Sequence, residues 1–229
     1  MKKRALIILG VLLTVNAFDV GMSWAKEKKL TYNLYAREGG KSRESIATTT
    51  LQYKDLPEGR TAISRQKTDK GCEGDDEFIL DQNNSVVSWT RKCGDSTDMV
   101  LERQGDAVTV KGTLNGKKIT KKIELGDRAL HIYPEYSLSK FAMSGEPKIN
   151  FWTFRRDKME KLPMQAVNMG KMKIKVNGKK VTVIKVYYSI TPKIREKYYH
   201  HNFYYRKSDG LYVKKEEMEG KVEELVKDK

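Results

Sequence analysis

The sequence predicts an all-β protein, mainly antiparallel, built as a strongly curved sheet or a half-open or closed β-barrel with one or two short helices. Three observations carry that expectation. Turn signals recur every eight to twelve residues along the 229-residue chain, two Asn-Gly dipeptides stand between alternating apolar runs, and helical periodicity is confined to two short stretches. That spacing favours an antiparallel sandwich or barrel over a parallel α/β arrangement.

The chain opens with Lys2, Lys3 and Arg4 and an apolar run over 5–18, broken by Asp19. Fourteen apolar residues fall short of the roughly 20 that cross a bilayer as a helix, and Ser23 and Ala25 are small residues at the positions a signal peptidase reads. Residues 1–25 therefore read as a signal peptide cleaved after Ala25, and 26–229 as a single antiparallel β domain, soluble in the periplasm. The formal charge is +15; the leader carries three basic residues and one acid, which leaves +13 on the mature part. Such an excess suits anionic lipid headgroups, lipopolysaccharide or acidic polymers, or a merely solvated lysine surface; export makes nucleic acid a poor partner.

Strand-like runs follow at 30–37, 45–53, 60–66, 99–104, 149–155 and 198–207. Cys72 and Cys93 flank two β-rich runs separated by a polar loop, and a symmetric hairpin would set one opposite the other as a structural disulfide. Asp75, Asp76 and Glu77 read as a solvated charge run on a loop beside Cys72. The Asn-Gly at 115–116 pairs Val108 with Ile123 and Gly112 with Ile119, leaving Thr109, Lys111, Thr113, Lys118 and Lys122 on the other face. The second Asn-Gly, at 177–178, sets Ile174 against Val181 and Met172 against Val183, with Lys173 against Thr182 and Lys175 against Lys180 behind them. Two stretches compete as helices: one around 137–144 with Leu138, Phe141 and Ala142 on one face before Gly145, and the tail with Val222, Leu225 and Val226.

Aromatic density is the most unusual feature. Seven of the twelve tyrosines lie between Tyr187 and Tyr212, and Phe151, Trp152 and Phe154 stand close together upstream. His200 and His201 fall within the tyrosine-rich block on a predicted strand that ends in a turn at Ser208, Asp209 and Gly210. Neighbouring side chains on a strand point to opposite faces, so the two histidines do not form one metal or catalytic site, and each reads as an amphipathic ring on a half-buried strand; His131 is the third histidine. No nucleophile elbow, zinc-protease helix, CxxC pair or phosphate-cradling glycine loop is present, so the sequence suggests no enzyme and no cofactor.

From 147 to 220 the order is FWTFRRD, a KLP stretch, a lysine-rich Asn-Gly hairpin, and an aromatic strand running into KSDGLYVKKE. This order resembles uncharacterised exported domains of Gram-negative bacteria related to the lipoprotein-carrier superfamily of LolA and LolB. The resemblance implies a bent antiparallel sheet, an unclosed barrel whose concave side holds acyl chains under a helical lid, and no active site. The carriers close that side with several helices, whereas this chain offers two short candidates. The expected function is non-catalytic binding of a lipid, lipopeptide or other apolar ligand, with Phe151, Trp152, Phe154, Tyr199, Phe203, Tyr204 and Tyr205 as lining residues. The alternative is a cell-envelope assembly or scaffold protein acting through protein or polymer contacts.

Overall fold

The computed structural model describes residues 28–36, 45–68, 74–192, 199–218 and 220–228. The predicted signal peptide over 1–25 and Cys72 lie outside the described residues. The fold class is as expected: among the described residues, a single antiparallel sheet of fourteen strands, strongly curved and not closed into a barrel. In chain order the strands are β1 (Lys28–Tyr35), β2 (Ser45–Asp55), β3 (Thr61–Thr68), β4 (Gly74–Leu80), β5 (Val86–Cys93), β6 (Thr97–Gln104), β7 (Ala107–Leu114), β8 (Lys117–Glu124), β9 (Lys148–Arg155), β10 (Glu160–Val176), β11 (Lys179–Ile190), β12 (His200–Arg206), β13 (Tyr212–Glu217) and β14 (Val222–Asp228). Helices α1 (Pro134–Ser137) and α2 (Ser139–Ser144) lie in the connection from β8 to β9.

Two meanders make the sheet. Strands β1–β8 form one and β9–β14 the other, and the ladder between β1 and β14 joins them, so the order runs β8 to β1, then β14 back to β9. The tail is therefore a strand and not the helix its apolar spacing predicts. Leu225 pairs with Tyr32, while Glu223 and Glu224 are also buried, so the ladder to β1 and β13 overrides a local helical pattern too short to be stable alone.

Both Asn-Gly hairpins adopt the expected registers, with positive φ at Asn115, Gly116, Asn177 and Gly178. Met172, beside the register shift between Asn168 and Lys171, is exposed although its partner Val183 is buried, while Ile174 and Val176 nearer the turn pack against the core. At the β4–β5 hairpin a register shift between Ile79 and Leu80 moves the pairing, so Gly74 and not Cys72 stands opposite Cys93. The charge run beside it is no solvated loop. Asp75, Asp76 and Glu77 lie on β4, and alternation turns Asp76 into the interior, where it is buried, while its two neighbours face solvent.

The sheet bends until its edge strands, β8 and β9, face each other across a seam without a ladder. Side chains span it. Trp152 Nε1 donates to the Leu125 carbonyl at 2.6 Å, Lys161 Nζ to the Glu124 carbonyl at 2.6 Å, and Lys121 Nζ to the Lys158 carbonyl at 2.9 Å. The segment 129–131 covers the free edge of β9, because Trp152 N–H donates to the Ala129 carbonyl and His131 N–H to the Trp152 carbonyl, both at 2.9 Å. Leu130 also accepts from the Val86 N–H of β5 at 2.8 Å. These contacts satisfy backbone groups that an open sheet would otherwise expose.

The core lies on the concave side, and much of it is filled by the chain itself. Tyr133, just before α1, packs its ring 5.3 Å from Phe78, and Tyr136 lies 5.6 Å from Tyr212. Leu138, Phe141 and Ala142 are buried as the helical pattern predicts, and Gly145 ends α2 in the left-handed region. The helices thus plug the concave face with aromatic rings.

Candidate functional site

Strand parity decides what each predicted lining residue does. On β12, His201, Phe203 and Tyr205 turn inward, while His200 and Tyr204 turn outward. His200 packs its ring 5.5 Å from Tyr187, whereas His201 lies 5.9 Å from Tyr188 and 4.7 Å from Tyr199, so the two histidines do occupy opposite faces. Tyr204 donates to Glu216 Oε2 at 2.6 Å on the convex side and has the Lys185 and Lys214 ammonium groups near its ring, so the alternation removes it from the hollow. Trp152 fastens the seam, with the Arg128 guanidinium and Lys161 ammonium over its ring, and it is not among the residues that wall the cavity between α1 and β9–β13. Phe151 and Tyr205 are fully buried, Phe151 between His131 and Tyr188, and Tyr205 donating to the Pro134 carbonyl at 3.1 Å.

Phe154, Tyr199 and Phe203 do line a hollow. It is a cavity of about 350 Å³ between α1 and β9–β13, where they are joined by Leu162, Tyr188 and His201. Charged groups, Glu135, Arg155, Arg156, Lys215 and Glu217, make up much of the remaining wall. Burial opposes the Lys215 ammonium, but Glu223, Glu135 and Glu217 outweigh it and hold its pKa above the ordinary lysine value. Burial also pushes the Tyr188 phenol well above its usual pKa, so it serves as a neutral hydroxyl.

A second cavity, about 640 Å³, adjoins the first and shares Arg156 with it. Sequence reasoning missed it entirely. Three strands present it: Arg65 on β3, Asp76 on β4 and Arg91 on β5 are direct partners across the ladder, all pointing inward. Two residues along the same strands, Ile63, Phe78 and Trp89 form an apolar layer, so the inner face changes from greasy to ionic within one step. The signal was available in the sequence, since Arg65, Asp76 and Arg91 each occupy the apolar parity of their strand.

Asp76 is fully engaged. Its Oδ1 accepts from Trp89 Nε1 at 3.0 Å, and its Oδ2 accepts from Arg65 Nη1 at 3.0 Å and from the Tyr133 hydroxyl at 2.6 Å. The Tyr133 ring in turn has the Arg65 guanidinium at 4.8 Å and that of Arg156 at 5.1 Å, close enough for cation–π attraction. Asp157, also on the wall, pairs with Arg155.

His131 is buried and accounts for itself structurally. Its Nδ1 lies 2.9 Å from Ser137 Oγ, which in turn lies 3.1 Å from the Tyr133 carbonyl. Burial lowers its pKa to about 4, which keeps the ring neutral at ordinary pH. Among the described residues no group of three or more His, Cys, Asp or Glu side chains is placed to hold a metal ion. Among the same residues, no helix is long and apolar enough to cross a membrane.

Comparisons with known proteins bear on the fold. No protein-family model matches the chain, and no curated protein does. Among solved structures, the chain is similar to a beta-barrel-like protein of a domain of unknown function, DUF1849, from Brucella abortus, with a TM-score of 0.59 and 13% identity over 88% of this chain and 96% of that one. A hypothetical lipoprotein, YmcC, from Escherichia coli K12 aligns over 92% of both chains at 8% identity, with a TM-score of 0.39. The first likeness identifies a barrel-like all-β fold, and it shows the fold alone.

Proposed function

We propose that this is a non-catalytic envelope protein that binds the apolar portion of an amphiphilic ligand against the concave face of its sheet. The observation that carries the reading is the cavity of about 350 Å³ walled by Phe154, Leu162, Tyr188, Tyr199, His201 and Phe203, with charged groups along one side. Its volume falls at the lower end of small-molecule sites, and a mixed wall of aromatic and ionic groups suits a ligand with both characters. The limited volume reflects the aromatic plug of α1, so a short or single chain fits better than a multiply acylated one. The signal peptide read from residues 1–25 and the resemblance of the 147–220 motif order to exported Gram-negative domains support a periplasmic setting. Cys93 is not a free thiol, and pairing with Cys72, the other cysteine of the chain, suits that oxidising compartment.

Displacement of a fluorescent fatty acid from the purified mature protein tests the proposal. Saturable binding in wild type that weakens in Tyr199→Ala is the expected result; Tyr199 is 44% exposed, so its truncation leaves the core intact. Failure of any apolar probe to bind, together with lipid-free protein on extraction, overturns the reading. A second reading, assembly or scaffolding within the envelope, is favoured by the plug itself, because Tyr133 and Tyr136 occupy interior space that a carrier would leave open. Crosslinking in intact envelopes followed by recovery of a specific partner supports it.

A further inference from the structure

We propose that the cavity of about 640 Å³ between β3–β5 and the turn after β9 is a binding site for a phosphate group, held by Arg65, Arg91 and Arg156. This goes beyond the apolar site and stands whether or not that site takes a chain. The argument begins with charge. Three guanidiniums meet one buried carboxylate, Asp76, whose oxygens already accept from Arg65, Trp89 and Tyr133, and the other acid on the wall, Asp157, is committed to Arg155. Lys67 also stands on the wall and the Glu135 carboxylate acts on Arg65 and Arg156, and an excess of positive charge remains, which suits a phosphate monoester or inorganic phosphate.

Hydrogen bonding leads to the same group. Arg91 Nη1 is withdrawn from solvent with no hydrogen-bond partner among the described residues, and Arg65 Nε has none in bonding geometry, although the Tyr136 hydroxyl, also unsatisfied, stands beside that guanidinium. Buried guanidinium N–H groups without acceptors are costly, and they come from two different side chains that flank Asp76 on neighbouring strands. An oxyanion with several oxygens in one rigid tetrahedron can accept from both while facing Arg156, whose guanidinium lies against the same Tyr133 ring as that of Arg65. The site is rigid by construction, since Asp76 and Tyr133 fix the Arg65 end and the β3–β5 ladders fix the spacing of the two arginines.

Such a phosphate can be free or can be the headgroup of an amphiphile whose chain enters the adjoining aromatic cavity through their shared residue, Arg156. Calorimetric titration of the mature protein with inorganic phosphate and, separately, with hexyl phosphate distinguishes the sources. Saturable binding of both with equal affinity supports a free phosphate ligand, and at least tenfold tighter binding of hexyl phosphate supports a headgroup. In either case Arg91→Gln, which leaves the Arg65–Asp76 pair intact, is expected to weaken binding at least tenfold, and Arg156→Gln, in an exposed turn, several-fold. Lys111→Gln, on the outer face of β7, is expected to leave it unchanged. The proposal is overturned if neither compound binds, or if Arg91→Gln and Arg156→Gln bind as wild type does, provided each variant shows the wild-type circular dichroism spectrum and melting transition.

Discussion

Two layers of side chains, one step apart on the same three strands, differ in how they hold the molecule together. Ile63, Phe78 and Trp89 form one layer, buried against Tyr133 and held by area and shape. Arg65, Asp76 and Arg91 form the next, where directed bonds from Arg65, Trp89 and Tyr133 converge on one carboxylate. The apolar layer tolerates no missing volume but needs no partner of a particular kind. The ionic layer depends on each partner being present, and it has donors to spare. The difference separates the part of the concave face that builds the fold from the part available to a ligand.

Truncating the apolar layer is expected to give the largest effect. Trp89→Ala removes a fully buried ring and one donor to Asp76, and urea denaturation should register a loss of roughly 3–5 kcal/mol, toward the upper end of that range. A loss under 1 kcal/mol would mean that the layer is not packed as described. Next comes Asp76→Asn, which leaves the Arg65 guanidinium without its counter-charge; breaking a buried pair from one side costs on the order of 3 kcal/mol. If the double variant Arg65→Met with Asp76→Asn recovers most of that loss, the cost is an uncompensated charge, and the ionic layer is then a liability retained for some reason other than stability.

His131 supplies a pH test with a definite sign. Its pKa is about 4 in the folded protein, through burial first, and near the ordinary 6.5 when unfolded. The unfolded chain therefore takes up a proton that the folded one refuses as pH falls from about 6.5 to about 4, and stability falls by up to about 3 kcal/mol across that window. His131→Gln should flatten this part of the stability-against-pH curve; an unchanged slope would assign it to other groups. The smallest effect belongs to the seam. Trp152→Phe keeps the ring but deletes the donor to the Leu125 carbonyl, and a loss of about 1 kcal/mol is expected in thermal denaturation, with the apolar layer undisturbed.

How much of this was legible beforehand varies with the range of the interaction that decides it. The Asn-Gly hairpins were readable to the residue, since turn geometry and alternation lie within a dozen positions of each other. The opposed faces of His200 and His201 followed from the period of a strand. The predicted lining set separated less cleanly. Phe154, Tyr199 and Phe203 reach the hollow, Phe151 and Tyr205 disappear into the core, and Trp152 and Tyr204 face elsewhere, because aromatic content does not specify which side of a bent sheet a ring occupies. The tail was misread for a related reason: Val222, Leu225 and Val226 are consistent with a helix until β1 and β13 present two unpaired edges to the same segment.

What the sequence determined by itself was local: an antiparallel β architecture, its turns, the parity of its strands and a short helix before Gly145. The tertiary structure alone decided that β14 joins the two meanders, that Tyr133 and Tyr136 plug the interior, and that Arg65 and Arg91 flank one buried aspartate near Arg156. Those outcomes depend on contacts between residues from 11 to nearly two hundred positions apart. Their energies come from burial and charge pairing that exist only once the sheet has bent.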